Sequence, residues 1–511
     1  MQLLASSVIN YTQGIVLSAL FGVLTLLSIF FAVFYIVKFG GESKDCNEDI
    51  LIGKKVFSIK KMLLFVLLVG VAIRIICGLL VIGHRREFAE TIYYSLQYVS
   101  KYDETDTNKI LYPLTYYIMQ IFAGIWINGG ASTDSVLLNF NIKIPFIIAD
   151  VVTAFVLFNN SKKYFNQKVG LVLFSLVMIC PIFVFVSAIW GSVITLIVPV
   201  VLIGFSLILS KKNAGAIAVF SIATLLAREA VILTPVLFVY FAYVWFKSLK
   251  ALSLKKYDKE DKLNFWSIPF VMCLSICFTC LLSLAYTSQF NMFSFFEIIN
   301  EFYIKPFTKI YYFGENAANL YVLLGKSESV PDMWIPSEFN AVLMFAMFVV
   351  ALIAITSVVF FAKKNRATLL LVSAYAILTV NVYYVGFTAI SVLPALALLL
   401  FAYLVVKDKR ILKTFTVTVV SMLLVSLVVF TIAGYFNTEP LSFFKDSSYT
   451  GQTYLTGDYS IALITASLFQ ILNHLYMTYY MLDIAYGKRV KLLDYNNKCT
   501  ISDVMYTVLS K

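Results

Sequence analysis

A polar stretch that follows an apolar segment carries side chains able to do acid–base and phosphate chemistry. It reads GHRREFAETIYYSLQYVSKYDETDTNKILYPLTYY and occupies residues 83–117. Glu87 and Glu90 are carboxylates of the kind that accept a proton from a reacting hydroxyl. Arginine's planar group suits phosphate oxygens, and three candidate anion-binding residues lie just before these acids: His84, Arg85 and Arg86. Two plainer roles stay open for them, namely anchoring to lipid headgroups and charge compensation between the arginines and Glu87.

Several more ionisable side chains interrupt apolar segments. Arg74 lies in the middle of one segment, Lys143 and Asp150 bracket the start of another, and Arg228 with Glu229 separates two more. A charge within a membrane is costly unless it is paired or hydrated. We therefore expect Arg74 and Asp150 either to pair with each other or to face an active cavity. Lys143 either extends to the interface or joins that cavity, and the 228–229 pair either joins it or forms a short outer turn.

The composition is that of an integral membrane protein. The chain of 511 residues is 60% hydrophobic and only 13% charged, against roughly 25% charged in soluble domains. Many apolar runs reach the ~20 residues that cross a bilayer as a helix. The pattern predicts an all-α, polytopic fold with about thirteen transmembrane helices. The predicted spans cover residues 14–37, 62–82, 143–160, 169–188, 193–210, 214–227, 230–246, 266–286, 340–362, 367–384, 387–406, 412–434 and 460–482.

The net charge of +12 is concentrated in short loops between these spans. A lysine and arginine excess in short loops is typical of the cytoplasmic side, so we expect membrane lipids rather than nucleic acid as the partner. Residues 112–128 keep every basic loop on one side only if they form an aromatic helix in the outer interface. The N-terminus is then outside, the first span is retained, and the outer loops cover 83–142, 287–339 and 435–459.

Five segments, taken in order, resemble motifs of the GT-C membrane glycosyltransferases. GHRREF is followed by YPLTYY, KIPFIIAD and SAIWGS, and then by YYFGENAANLYVLLG. The similarity is strongest to mannosyl- and glucosyltransferases that use a polyprenyl-phosphate sugar, and it covers about residues 62–400. Two departures from the family pattern are the missing second proline after Pro113 and a serine, Ser192, where the family has glutamine.

The resemblance implies a hexosyltransferase that moves a sugar from a polyprenyl-phosphate carrier to a lipid-linked or cell-surface glycan acceptor. In this interpretation Glu87 is the first candidate for the catalytic base and Glu90 the second. The implied substrate-binding residues are His84, Arg85, Arg86, Tyr112, Lys143, Asp150, Arg228, Asn316 and Asn319. Neither a metal nor another cofactor is expected, because transferases that use lipid-monophosphate sugars generally need none.

The same interpretation divides the chain into three parts. Residues 1–61 form an extra N-terminal transmembrane helix and a basic cytoplasmic loop, and residues 62–406 form the GT-C-like core. Residues 407–511 form the C-terminal transmembrane helices and a basic cytoplasmic tail. The lysine- and isoleucine-rich composition, with no eukaryotic retention signal, favours the plasma membrane of a bacterium.

Two other kinds of protein stay open. A flippase or transporter of lipid-linked oligosaccharide or polysaccharide would also have a dozen or more spans, although many transporters contain inverted repeats and none is evident here. A catalytically inactive GT-C relative would fit the departures from the family motifs. A transferase should gather its polar residues around one outward-facing cavity with a lateral opening to lipid, whereas a transporter should line a path across the midplane.

Overall fold

The chain is helical apart from one short hairpin in the residues that the structure describes. This computed structural model describes residues 11–40, 49–52, 55–81, 83, 112–124, 136–255, 257–283, 299–308, 317–324, 338–432 and 460–487. The hairpin pairs β1 (Asp49–Ile52) with β2 (Lys55–Ser58) in antiparallel register. The predicted helical, polytopic membrane architecture is confirmed, and the hairpin is an addition that the sequence did not indicate.

Ten helices of the described chain are long and apolar enough to cross a membrane, or eleven when a bent pair counts as one span. The ten are built on α1 (Tyr11–Gly40), α2 (Ile59–Leu80), α4 (Val136–Tyr164), α10 (Thr234–Ser253), α11 (Lys259–Ser283), α14 (Glu338–Lys363), α15 (Arg366–Tyr383), α16 (Leu393–Val406), α17 (Lys409–Ile432) and α18 (Ser460–Tyr486). The bent pair is α5 (Gln167–Ile179) with α6 (Pro181–Val184), which continues as a π-helix over Phe185–Trp190. The shorter helices are α3 (Pro113–Met119), α7 (Ile197–Leu209), α8 (Asn213–Thr224), α9 (Arg228–Val231), α12 (Lys305–Thr308) and α13 (Leu320–Leu323).

The predicted span over residues 169–188 is bent rather than straight. The axes of α5 and α6 differ by 47° at a break that contains Cys180. Proline has no backbone N–H to donate to the carbonyl four residues earlier, so Pro181 leaves the carbonyl of Val177 without its helical partner. The bend therefore creates a polar backbone group inside an apolar bundle.

The start of the predicted span 143–160 was placed too late. α4 begins at Val136, so Lys143 and Asp150 lie inside the helix rather than at its beginning. Asn139 and Asn141 make the first two turns polar, and a criterion based on continuous apolar character leaves such turns out. The side-chain amide of Asn141 donates to the carbonyl of Phe122, which joins this part of α4 to the segment that follows α3.

The residues predicted as an interfacial helix, 112–128, form a short helix in their described part. α3 contributes seven residues and the π-helix Gln120–Gly124 contributes five. Twelve residues extend about 18 Å at 1.5 Å per residue, well short of a hydrocarbon core of about 30 Å. Pro113 occupies the first turn, where a missing N–H leaves no helical hydrogen bond unmade. This helix alone is too short to cross a membrane.

Contacts between helix ends bring the described basic loops to one end of the bundle. Asn166 donates to the carbonyl of Phe39 at 2.8 Å, and Lys363 donates to the carbonyl of Ile484 at 2.6 Å. We call this the basic end and the opposite one the outer end. The arrangement is the one that the positive-inside threading requires.

The centre of the bundle is α16, and α11 lies at its periphery. All fourteen side chains of α16 are buried, as expected for a helix that is apolar all round. α11 instead exposes Leu263, Trp266 and Phe270 over about two thirds of their surface (66%, 66% and 68%). Large exposed apolar side chains in a row indicate a face that contacts lipid.

A cysteine-labelling experiment tests the threading. Lys211 lies at the basic end, 3.6 Å from Glu260, so Lys211→Cys should resist an impermeant thiol reagent added outside intact cells and react after permeabilisation. Ser448→Cys, in the predicted outer loop 435–459, should react from outside and serves as the control. Labelling of Lys211→Cys in intact cells would overturn the threading.

Candidate functional site

The helical backbone is interrupted at three places on the outer side of the bundle. The interruptions follow Trp190, Thr224 and Tyr383. Irregular backbone at membrane depth is tolerated where it is buried in protein or lines a polar cavity. Gly191 (φ 74°) and Gly386 (φ 77°) take left-handed backbone conformations at two of these breaks, which glycine adopts without a steric penalty. The breaks are therefore places where the fold can hold polar groups within an apolar bundle.

Arg228 and Glu229 form an ion pair at the second break, and the third break holds both of them. Arg228 Nε lies 3.4 Å from Glu229 Oε1, and Arg228 Nη2 donates to the carbonyl of Gly386 at 2.5 Å. The hydroxyl of Ser391 donates to the same Glu229 oxygen at 3.2 Å. The guanidinium carbon is 4.4 Å from the centre of the Phe387 ring, a cation–π contact. Arg228 is thus fixed in place by groups from two separate segments.

Arg228 keeps capacity to bind an anion. The contacts to Glu229 and Gly386 use two of the five N–H donors of its guanidinium. Its side chain is 29% exposed, compared with 10% for Glu229. Because Glu229 is bound by both Arg228 and Ser391, its evident role is to orient the arginine. The arrangement suits recognition of phosphate or carboxylate oxygens by the remaining donors.

Tyr112 lies beside this pair, at the start of α3. The Leu114 N–H donates to the carbonyl of Leu225 at 3.0 Å, and the Thr115 hydroxyl donates to the carbonyl of Leu226 at 2.6 Å. α3 therefore docks on carbonyls that the break after α8 leaves free. Burial raises the pKa of Tyr112 well above its usual range, Glu229 raises it further and Arg228 opposes the rise. Tyr112 accordingly stays a neutral phenol that can donate a hydrogen bond.

A large apolar groove of about 840 Å³ lies between α8, α10, α11, α14 and α15. Its described lining residues are uncharged, and they include Thr224 and Tyr384 at the outer end and Trp245 at the far end. Phe238 on α10 and Met272 on α11 line the groove while remaining 58% and 44% exposed. The groove therefore opens sideways, between α10 and α11, towards the lipid.

Aromatic contacts connect the groove to Arg228. Phe307 lines the groove, accepts a hydrogen bond from the Tyr384 hydroxyl on its carbonyl at 2.6 Å, and lies 6.0 Å from Phe387 between ring centres. Phe387 in turn contacts the Arg228 guanidinium. A ligand with an apolar chain in the groove would thus have its polar end close to the free face of the arginine.

Asp150 is engaged by Arg74 in the interior, away from solvent. Arg74 donates to Asp150 Oδ2 through Nε at 2.9 Å and through Nη2 at 2.8 Å. It also donates to the carbonyls of Gly70, Val177 and Met178, at 3.2, 2.8 and 2.6 Å. These contacts use all five N–H donors of the guanidinium. The pair is therefore closed, which is the arrangement that the structural alternative requires, and the substrate-binding role of Asp150 stays a prediction.

Lys143 does not extend to the interface. Its side chain is fully buried, and Nζ donates to the carbonyl of Val81 at 2.5 Å. Val81 follows the last residue of α2, where helical carbonyls lack N–H partners. Lys143 thus stabilises the end of α2, just before the polar stretch that begins at Gly83.

The remaining candidate residues differ in what the structure says of them. Asn319 is fully buried and its side-chain oxygen accepts from the Val322 N–H at 2.9 Å, so it caps α13. Sugar binding by Asn319 would compete with that contact. The other candidates lie outside the described residues: His84, Arg85, Arg86, Glu87, Glu90 and Asn316.

The sequence interpretation missed part of this cluster. Gly386, Phe387 and Ser391 occupy the segment GFTAISVLP, where the absence of His, Glu and Arg drew attention away. Their contribution comes from a backbone carbonyl, a ring face and a hydroxyl. The glycine within an apolar run was the available signal, since such a glycine often marks a break or a close backbone approach.

Comparison with known proteins assigns the chain to no family. Neither a protein-family model nor a curated protein matches it. Its function is therefore argued from its own residues and their geometry.

A charge-removal series tests whether the Arg74–Asp150 pair is structural. Arg74→Leu leaves a buried carboxylate without its partner and should lower the free energy of unfolding by about 3–5 kcal/mol. The double variant Arg74→Leu, Asp150→Leu should lose less, because no charge is stranded. Chemical denaturation in detergent micelles measures both. Glu260→Leu breaks exposed pairs with Lys211 and Arg366 and should cost no more than about 1 kcal/mol. Equal losses in Arg74→Leu and Glu260→Leu would contradict the structural role.

Proposed function

We propose that this protein is a membrane glycosyltransferase that moves a hexose from a polyprenyl-phosphate carrier to a lipid-linked or cell-surface glycan acceptor at the outer face. The observation that carries the proposal is the apolar groove whose outer end adjoins the incompletely paired Arg228. The GT-C-like architecture with thirteen spans belongs to the proposal. It requires the segments Val193–Leu209 and Asn213–Thr224, shorter than a standard span, to complete crossings.

The groove suits the tail of a lipid carrier. It is uncharged over its described lining and opens laterally to the membrane. Its α10 wall runs from Thr234 to Phe246, about 18 Å at 1.5 Å per residue. That is more than half of a hydrocarbon core of about 30 Å. An isoprenoid chain entering from the lipid would bury apolar surface there without removing any charge from water.

Arg228 suits the carrier's phosphate. The leaving phosphate gains negative charge as the sugar departs, and preorganised donors stabilise that charge most when they need not move. Glu229, Gly386 and Phe387 hold the guanidinium before any ligand binds. Tyr112 adds a neutral hydroxyl beside it. His84, Arg85 and Arg86 are further candidates for the phosphate from the neighbouring polar stretch.

The reaction requires one carboxylate that is free to accept a proton. The acceptor hydroxyl gives its proton to the base, its oxygen bonds to the anomeric carbon, and the bond from that carbon to the phosphate oxygen breaks. The carrier phosphate leaves with the bonding electrons. Glu229 is bound by Arg228 and Ser391, so Glu87 is the proposed base and Glu90 the second candidate.

A transporter of lipid-linked glycans is the main competing function. It would need polar groups along a path through the midplane, since the sugar must cross the membrane. The deeply buried ion pair of the described chain, Arg74 with Asp150, is closed to further ligands, whereas the open arginine lies at the outer end. This distribution favours chemistry at one face, in keeping with an enzyme of a cell membrane, for which we propose a bacterial plasma membrane.

Removal of the proposed base tests the chemistry. Glu87→Gln should abolish hexose transfer in membranes supplied with a defined polyprenyl-phosphate sugar, because an amide cannot accept the proton. Protein level should be unchanged. Near-normal turnover would contradict the assignment. If the wild-type protein moves lipid-linked sugar between leaflets of a liposome without transferring it, the transporter alternative replaces the enzyme.

Filling the groove tests the donor site. Ala242 lines the groove, so Ala242→Phe should raise KM for a long-chain donor roughly tenfold while leaving kcat nearly unchanged. A donor with a short prenyl chain should be affected much less. Ala354→Phe adds the same ring at an exposed position on α14 and should alter neither constant. Equal effects of the two variants, or on both donors, would contradict tail binding in this groove.

A further inference from the structure

A second groove lies on the lipid-facing side of the bundle, between α1 and α17. It has a volume of about 630 Å³, and its α1 wall runs from Leu26 to Lys38. The apolar residues Phe30 and Val33 line it on α1, and Thr416 lines it on α17. It is separate from the groove next to Arg228, and the proposed transferase reaction does not use it.

The length and position of this groove match one leaflet of a membrane. The twelve-residue step from Leu26 to Lys38 corresponds to about 18 Å, slightly more than half of a hydrocarbon core of about 30 Å. Lys38 lies in the last turn of α1, at the basic end of the bundle. The groove therefore begins near the midplane and ends at the interface on the basic side.

Lysines from both helices meet at that end. α1 and α17 run antiparallel, and a side chain at Gly22 would contact Leu427 at 3.6 Å. Equal steps along the two helices from this contact bring Val33 level with Thr416 and place Lys38 between the levels of Lys413 and Lys409. Lys409, Lys413 and Thr416 are spaced at helical intervals of four and three residues, so they share one face of α17.

The lysines at this end are not neutralised by described carboxylates. Asp408 and Asp483 are the nearby acids, and both bind Arg410 at 2.7 Å. The ion pairs of the described chain include none with Lys38, Lys409 or Lys413. Lys38 instead lies 5.9 Å from the centre of the Tyr35 ring, and all three lysines are exposed.

We propose that this groove binds an anionic phospholipid of the leaflet on the basic side. One acyl chain would lie along Phe30 and Val33, and the phosphate headgroup would contact Lys38 and Lys413. An uncharged wall that ends in several cations matches an amphiphile with an apolar chain and a negative head. Lysines near a membrane surface attract anionic lipids in this way.

Lipid binding to the purified full-length protein tests the proposal. The probes are phosphatidylglycerol and phosphatidylcholine with identical acyl chains, titrated in neutral detergent and measured by native mass spectrometry. Phosphatidylglycerol should bind more tightly. Lys38→Gln and Lys413→Gln should each weaken its binding about fivefold and leave phosphatidylcholine unchanged. Val33→Trp, which fills the groove, should weaken both lipids.

Three controls keep the result decisive. Lys259→Gln removes an exposed charge at the basic end outside the groove and should have no effect, while Lys38→Arg should retain binding. Equal affinity for the two lipids, or unaltered binding in the glutamine variants, would overturn the proposal. A Phe30→Cys variant that forms disulfide dimers in membranes would also overturn it, because a second copy of the chain would then cover the groove.

Discussion

The pairing of Arg74 with Asp150 is the contact on which the outer half of the bundle depends. Pro181 cannot donate to the carbonyl of Val177, and the Arg74 guanidinium supplies a hydrogen bond in its place. The 47° bend that results carries the chain from α5 through the π-helix to the turn at Gly191. In an apolar medium no water can satisfy a carbonyl left free by such a bend. The buried arginine therefore makes the break between α5 and α6 compatible with a membrane, and Asp150 keeps that arginine charged.

Two arginines of the described chain show how the same side chain serves opposite purposes. Arg74 has all five donors bound and no exposed side-chain surface, so it can hold structure but accepts no ligand. Arg228 uses two donors and keeps 29% of its side chain exposed. Both are anchored by one carboxylate and by backbone carbonyls at helix breaks. The difference lies in depth: at the outer end the remaining donors meet a groove opening and solvent, whereas in the interior they are taken by carbonyls of a neighbouring helix.

The membrane class and most spans were predictable from sequence, because continuous apolar runs report directly on burial in lipid. The bend at Pro181 and the early start of α4 at Val136 were not, since each depends on a partner distant in sequence. Arg74 satisfies the carbonyls at the bend from 103 and 104 positions away, and Asn141 contacts the segment after α3. The candidate site was predictable where it uses charged side chains, as at Arg228. It was not where it uses a carbonyl, a ring and a hydroxyl, because Gly386, Phe387 and Ser391 acquire meaning only when α9 lies against them.

The polar stretch that carries Glu87 starts from a point that the fold determines. Lys143 binds the carbonyl of Val81, and Gly83 follows with φ 138°, a conformation that favours glycine. The chain therefore leaves α2 in a defined direction beside α4, the helix whose first part also contacts the segment after α3. α3 in turn docks on the break that holds Arg228. In the proposed reaction this sequence of contacts matters because Glu229 is occupied. A base has to come from a segment tethered at both ends near the arginine, and the residues between Gly83 and Tyr112 are tethered in this way.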